Sequence, residues 1–128
     1  TYLSQEYIDQ HLDLFRGGVT KFYAKAPTGA VGPPDGTFVM PTSIADDLIK
    51  QANGDIHILE QLLGLDSGTL GKSPVRIDIA HPTGLRMPTG NELGVNSFWL
   101  PGGYTSGGLP EAVVDQILPG QYTVVPIQ

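Results

Sequence analysis

Cysteine is absent from this chain of 128 residues. Its absence excludes disulfide bonds, thiolate catalysis and most structural zinc sites. Basic residues are scarce, since seven Lys and Arg stand against 13 Asp and Glu, giving a formal net charge of −6 at pH 7. Because phosphate neutralisation supplies most of the affinity for nucleic acids, this charge disfavours nucleic-acid binding. No apolar run approaches the roughly 18 residues that a membrane-spanning helix needs, so we expect no membrane insertion by this chain.

The remaining composition is that of a globular domain. Hydrophobic residues make up 40% of the chain and charged residues 16%, which separates it from disordered sequences. The 17 Gly and 11 Pro predict long ordered loops and modest helix content. The length fits a single domain over residues 1–128. Because the chain begins with Thr1, without a methionine or a charged-then-apolar leader, we expect Thr1 to be a boundary inside a longer protein.

Hydrophobic periodicity predicts three helices and several short strands. The predicted helices are residues 2–15, capped by Ser4 and ended by Gly17; 43–53, capped by Thr42 or Ser43; and 56–64, capped by Asp55 and ended by Gly64. The predicted strands are residues 19–24, 36–41, 75–80, 98–100, 112–117 and 122–127. This order, with an N-terminal helix and a central helix pair, predicts an α+β fold with a small antiparallel sheet, whole or split.

The three histidines, His11, His57 and His81, are isolated in the sequence. Only His57 has a carboxylate at the spacing of a helical metal site, and that carboxylate is Glu60. A solvated helix face explains such a pair far more often than a metal does, so we expect no metal site and no prosthetic group.

A glycine-rich segment near the C-terminus is the most unusual feature of the chain. Residues 99–111 read WLPGGYTSGGLPE, and no GK[ST] follows to make a Walker phosphate-binding loop. Glycine loops are turns more often than ligand sites. Here, however, Gly102 and Gly103 would permit close approach to a flat ligand, which Thr105 or Ser106 would orient and Trp99 would stack upon.

Glu111 stands alone at the start of the apolar run AVVDQI. It either lies exposed at a sheet edge or points into a cleft, where one carboxylate can stabilise a developing cation or activate a nucleophile. Arg76 and Arg86 are candidate anion ligands, because guanidinium matches phosphate geometry. Arg76 equally fits a salt bridge to Asp78 or a neighbour, whereas Arg86 lies in a proline-bounded loop and is expected to be the freer of the two.

Three stretches carry a resemblance to a known class of proteins. DGTFVMP at 35–41, VRIDI at 75–79 and RMPTGNELGVNSFWLPGGYTSGGLPEAVVDQI at 86–117 resemble C-terminal toxin domains of bacterial Rhs and filamentous-haemagglutinin (contact-dependent growth inhibition) proteins. The resemblance covers residues 2–127 and is tightest over 75–117. It implies a polymorphic toxin domain that forms the C-terminal tip of a longer protein and is secreted or delivered from a cell surface. Such a domain acts in the target-cell cytoplasm and is neutralised by a cognate immunity protein.

The run GLPEAVV at 108–114 also resembles the loop-to-strand junction that carries the catalytic glutamate in the ADP-ribosyltransferase-like superfamily. This resemblance implies that Glu111 holds the nicotinamide ribose of NAD and stabilises the oxocarbenium-like transition state as nicotinamide leaves. The Ser-Thr-Ser element of one branch and the His-Tyr pair of another have no clear counterpart in this chain. The branch, and with it the acceptor, therefore stays open.

The same resemblance assigns ligand contacts to several other residues. Arg86 or Arg76 would pair with the NAD pyrophosphate, and Arg16 is the counterpart of the early arginine of the cholera-toxin-like branch, although it precedes its strand by three residues. The aromatic residues implied to stack on a ring are Trp99, Phe38 and Tyr104.

Three functions follow as hypotheses. The first is an NAD glycohydrolase or ADP-ribosyltransferase toxin that uses NAD as its substrate and water, a protein or RNA as the acceptor. The second is a metal-independent ribonuclease toxin that draws its acid, base and phosphate ligand from His81, Arg86, Thr105 and Tyr122. The third is a non-enzymatic binding module, in which Glu111 and Ser106 can be lost without consequence.

Overall fold

The structure is a computed structural model that describes residues 4–88 and 108–127, together with the backbone of residues 99–100 and 104–105. The helices are α1 (Gln5–Asp13), α2 (Thr42–Ala52) and α3 (Ile56–Leu63). The strands are β1 (Val19–Tyr23), β2 (Thr37–Pro41), β3 (Val75–Ile79), β4 (Trp99–Leu100), β5 (Tyr104–Thr105), β6 (Ala112–Val114) and β7 (Thr123–Pro126). The predicted α+β class, with an antiparallel sheet, an N-terminal helix and a central helix pair, is confirmed.

Two of the predicted helix caps form as expected. The Ser4 hydroxyl accepts a hydrogen bond from the backbone N–H of Tyr7 at 3.1 Å. The Asp55 carboxylate accepts from the N–H groups of His57 and Ile58, at 2.9 and 3.2 Å. Each bond satisfies an N–H donor that has no partner within its own helix.

The predicted cap of α2 by Thr42 or Ser43 is wrong. Pro41 occupies the cap position and makes no side-chain hydrogen bond, and Thr42 is already the first helical residue. The Thr42 hydroxyl lies 2.9 Å from the hydroxyl of Thr20 on β1, which in turn donates to Asp78 Oδ1 at 2.7 Å. A contact between distant segments therefore takes the place of a local cap.

Five strands form one antiparallel sheet in the order β6-β2-β1-β3-β7, and β4 pairs separately with β5. Strand β1 pairs with β3 along its whole length, from Val19 opposite Ile79 to Tyr23 opposite Val75. It pairs with β2 only at Val19 and Thr20. The sheet is thus closely paired on one side of β1 and only briefly paired on the other.

Each face of the five-stranded sheet packs on a different layer. The face covered by the end of α1 and by loops, here the α1 face, holds one hydrophobic cluster: Phe15, Val19, Val31, Val39, Ile77, Ile79, Ala112, Val114 and Ile117. The opposite face, here the α2–α3 face, holds the second: Leu48, Ala52, Leu59 and Leu70, with Phe22 and Met40 packed against them. Burial of these side chains is the main favourable term in folding. Because side chains alternate along a strand, Lys21 lies on the α1 face, between Val19 and Tyr23.

Several predicted elements are shorter than the periodicity suggests. The first helix spans Gln5–Asp13 and not residues 2–15, of which the first two lie outside the described residues. The predicted stop at Gly17 is wrong, because Leu14 is the C-cap residue. The predicted strand 112–117 ends at Val114, and Ile117 instead forms an isolated bridge with Val31 in the loop between β1 and β2 (residues 24–36, the β1–β2 loop). Within the described residues, no helix has the length and apolar character that crossing a bilayer requires.

Candidate functional site

Glu111 lies immediately before β6 and is partly buried. Its backbone carbonyl accepts a hydrogen bond of 2.8 Å from Nε2 of His11, which is 3% exposed on α1. A carbonyl oxygen can only accept, so His11 carries a proton on Nε2. The His11 ring also packs beside Phe15, with 5.4 Å between ring centroids. Helix α1 thereby sets the position of the backbone at Glu111.

Lys21 is the cation that interacts with Glu111 from the central strand. Its Nζ donates a hydrogen bond of 2.5 Å to the backbone oxygen of Phe38 on β2 and lies 5.9 Å from the ring centroid of Tyr23. Burial lowers the pKa of the Lys21 ammonium to about 8, and the negative charge of Glu111 opposes that decrease. A lysine and a carboxylate thus share a partly buried environment near the end of α1.

Two tyrosines border the same face of the sheet. Burial raises the pKa of the Tyr23 hydroxyl, and the nearby Tyr122 raises it further. Both rings pack against the cluster on the α1 face. The Tyr122 hydroxyl donates to the carbonyl of Gly29 at 2.9 Å, which ties the residue before β7 to the β1–β2 loop.

Arg76 forms the salt bridges that the sequence offered as its alternative role. Its guanidinium contacts Asp46 at 2.7 Å and Asp78 at 3.1 Å, and its side chain is 14% exposed. Asp46 belongs to α2 and Asp78 to β3, so the arginine connects the sheet to the helix pair. An anionic ligand would have to compete with two carboxylates for this side chain.

Arg86 is more exposed, at 41%, but its guanidinium is also engaged. It donates to Asp115 Oδ1 at 2.8 Å and to the carbonyls of Gly84 and Asp35, at 2.6 and 2.8 Å. Its backbone pairs with Val113 in an isolated bridge. Arg86 therefore joins three segments of the chain and protects the outer edge of β6.

Two other predicted ligand residues, Arg16 and Phe38, have side chains that lie apart from Lys21 and Glu111. Arg16 is exposed beyond the end of α1 and forms a salt bridge with Asp13, with 2.5 Å between Nε and Oδ1. Phe38 contributes its carbonyl to Lys21, but strand alternation places its ring on the α2–α3 face, opposite the Lys21 side chain. The structure does not bring the Phe38 ring together with Lys21.

Most of the predicted glycine-rich binding loop is not among the described residues. Gly102, Gly103 and Ser106 lie outside the described residues. Trp99, Tyr104 and Thr105 are described only in their backbone, where Trp99 pairs with Thr105 and Leu100 with Tyr104. The ligand contacts expected of all six residues therefore remain predictions.

His57 and Glu60 do not form the solvated helix face that the sequence suggests. His57 is 72% exposed, but Glu60 is only 1% exposed. Its carboxylate accepts hydrogen bonds from His57 Nδ1 and from the backbone N–H groups of Gly68 and Leu70. Across the described residues, no group of three or more His, Asp and Glu side chains is arranged to hold a metal ion.

A separate open cleft of about 560 Å³ lies at one end of the sheet. Its lining includes Thr42, Asp78, His81, Gln121 and Tyr122. The structure therefore brings together two of the residues proposed for a ribonuclease, His81 and Tyr122. Arg86 does not line this cleft among the described residues.

Sequence reasoning singled out Glu111 but missed His11 and Lys21 as its neighbours. One signal for Lys21 was present, since it occupies a position in phase with the apolar residues Val19 and Tyr23 on an alternating strand. His11 carried a similar signal, since it stands four positions after Tyr7 and four before Phe15 on the predicted helix. Its partner could not be predicted, because Glu111 lies 100 residues away. Comparison with protein-family models and with curated proteins yields no match to this chain.

Proposed function

We propose that this chain is a toxin domain that cleaves the nicotinamide–ribose bond of NAD and has an ADP-ribosyltransferase-like arrangement of its sheet. The C–N bond breaks with its electron pair leaving on nicotinamide, and the ribose passes through an oxocarbenium-like state. Water, or a protein or RNA group, then adds to the ribose carbon and loses a proton. A cognate immunity protein with basic residues would suit the acidic surface of this domain and block the enzyme.

The observation that supports this proposal is the environment of Glu111. The residue is partly buried, its backbone is hydrogen-bonded to a buried histidine, and it directly precedes a fully buried strand. A carboxylate in such a position is suited to stabilising positive charge that develops on a bound sugar, because a preorganised charge needs little rearrangement during the reaction. The glycine-rich segment before it is suited to covering a flat ligand.

The decisive experiment follows nicotinamide release from NAD by the purified domain, comparing wild type with Glu111→Gln. We expect the substitution to lower the rate by about 10³-fold, because it removes the negative charge and keeps the shape. Glu6→Gln is the matched control, since Glu6 is exposed on α1, and it should retain the wild-type rate. Addition of target-cell lysate then distinguishes transfer of ADP-ribose to macromolecules from hydrolysis.

The NAD proposal is wrong if the wild type releases no nicotinamide with or without lysate. It is also wrong in its assignment of Glu111 if Glu111→Gln and Glu6→Gln release nicotinamide at the same rate. Thermal unfolding of each variant separates a lost activity from a lost fold.

A ribonuclease is the second candidate, and the cleft that places His81 near Tyr122 favours it. One histidine and one hydroxyl in a single cleft are suited to proton transfer during phosphodiester cleavage. Incubation of the domain with total RNA tests this reading, and His81→Ala should abolish cleavage. RNA that remains intact with the wild-type domain rejects it.

A further inference from the structure

The pairing of β1 with its two neighbours changes at Lys21. On the β3 side, Lys21 continues the ladder opposite Ile77. On the β2 side, the registered pairs end at Thr20 opposite Met40. Beyond that point the Lys21 side chain, and not its backbone, reaches β2 by donating to the carbonyl of Phe38. The ammonium therefore lies where the two strands cease to pair.

The Lys21 ammonium keeps hydrogen-bonding capacity for another group. A lysine ammonium has three N–H donors. Within residues 4–88 and 108–127, its hydrogen bond is the one to Phe38, so two donors make none to the described chain. Partly buried charges normally have their donors satisfied. Glu111 is the carboxylate whose negative charge acts on this ammonium and raises its pKa.

The arginines implied for phosphate binding are each engaged by carboxylates. Arg76 is paired with Asp46 and Asp78, and Arg86 with Asp115. The charge of Lys21 opposes folding, because burial lowers the pKa of its ammonium. A charge kept at a cost to stability is typical of functional sites.

We infer that Lys21 binds a phosphate oxygen of the nucleotide substrate, next to the ribose contacted by Glu111. This inference rests on the proposed function, and it assigns to Lys21 the pyrophosphate contact that the resemblance implies for Arg76 or Arg86. In NAD the pyrophosphate is attached directly to the 5′ oxygen of the nicotinamide ribose. A cation beside a carboxylate therefore matches two adjacent parts of one ligand. The compact ammonium acts as a point charge toward phosphate.

Binding of ADP measured by calorimetry tests this inference without requiring catalysis. ADP has the pyrophosphate but no nicotinamide ribose, and adenosine is the matched ligand without phosphate. We expect Lys21→Met to weaken ADP binding by about tenfold or more and to leave adenosine binding unchanged. Lys21→Arg should retain part of the affinity because it keeps the charge. Lys25→Met is the control variant, since Lys25 is exposed two positions beyond β1, and it should bind ADP like the wild type.

The outcomes separate this inference from the proposed function. The inference is overturned if wild type does not bind ADP, or if Lys21→Met binds ADP as tightly as wild type. If ADP binding depends on Lys21 but the protein releases no nicotinamide, the phosphate site is supported and NAD cleavage is rejected. If Lys21→Met releases nicotinamide with the KM and kcat of wild type, NAD cleavage is supported and the phosphate site is rejected. Lys21→Gln is a second neutral variant, to be used if Lys21→Met does not fold.

Discussion

Glu60 and Lys21 are charged side chains placed within the fold, and their surroundings differ. Glu60 lies on α3, where its carboxylate accepts from Gly68 N at 3.0 Å, Leu70 N at 2.8 Å and His57 Nδ1 at 3.0 Å. Lys21 lies on the central strand, and within residues 4–88 and 108–127 its hydrogen bond is the one to the carbonyl of Phe38. Among the described residues, Glu60 therefore has three hydrogen-bond donors and Lys21 has one hydrogen-bond acceptor.

The pKa shifts of the two groups show the energetic consequence. Hydrogen bonds from Leu70 and then Gly68 hold the pKa of Glu60 below its ordinary value, so the charged form is stabilised by folding. Burial lowers the pKa of Lys21, so its charged form is destabilised by folding. The Glu60 carboxylate, which accepts from Gly68 and Leu70, organises the loop that contains them. The Lys21 ammonium has donors that make no hydrogen bond to the described residues, so it is the better candidate for binding a ligand.

Glu60→Gln should have the largest effect on stability. The substitution removes the charge that accepts from two backbone N–H groups, and a buried donor without its acceptor is costly. We expect the Tm to fall by about 10 °C, with nicotinamide release per folded molecule unchanged. Gln61→Ala at the neighbouring exposed position is the control. A Tm within 2 °C or so of wild type would show that the loop does not depend on this carboxylate.

The contribution of Glu60 to the stability of the fold should depend on pH in a defined direction. Because the folded pKa of Glu60 is lowered, its contribution is present above the ordinary value near 4.5 and is lost as the pH falls through the folded value. The difference in Tm between wild type and Glu60→Gln should therefore shrink on acidification. A difference that grows below pH 4.5 would contradict this.

Lys21 should change the stability of the fold less than Glu60 does, and its effect should appear at alkaline pH. Between about 8 and 10.5 the unfolded state retains a proton that the folded state has released, so stability rises with pH. We expect a gain of about 2 kcal/mol in the free energy of unfolding from pH 8 to pH 10, absent in Lys21→Met. Urea unfolding at several pH values measures it. If the free energy of unfolding of wild type and Lys21→Met changes with pH in the same way, the pKa of Lys21 is not lowered by folding.

Asp55→Ala should have the smallest of the three effects. It removes the carboxylate that caps α3, at a cost of about 1 kcal/mol in the free energy of unfolding. The site around Glu111 lies on another layer, so nicotinamide release should be unaffected. Urea unfolding tests the first expectation, and a loss of activity in the folded variant would indicate that α3 influences the site.

Three predictions that depend only on neighbouring residues were confirmed: the caps by Ser4 and Asp55, and the end of α3 at Gly64. Ser4 and Asp55 cap their helices because each accepts from N–H groups two or three positions ahead. Gly64 ends α3 with φ of 74°, a left-handed conformation that glycine adopts at low cost. The cap of α2 failed because the Thr42 hydroxyl contacts Thr20, 22 positions away. Local rules cannot register a partner at that distance.

Prediction of the candidate site from the sequence was limited in the same way, by contacts between distant residues. Glu111 could be identified from the sequence, since a lone acid between a glycine-rich segment and an apolar run is conspicuous. Its contact with His11 could not, because the two residues are 100 positions apart. The burial of Glu60 was also missed, since its donors belong to a loop that folds back on α3.

By itself, the sequence determined the α+β class, the helix ends set by local caps, and the importance of Glu111 as a candidate. These depend on periodicity and on hydrogen bonds between residues a few positions apart. The tertiary structure decided the order of the strands, the pairing of Arg76 and Arg86 with carboxylates, and the placement of Lys21 and His11 beside Glu111. Those arrangements form only when segments distant in the chain pack together, because burial and long-range hydrogen bonding select which charges acquire partners.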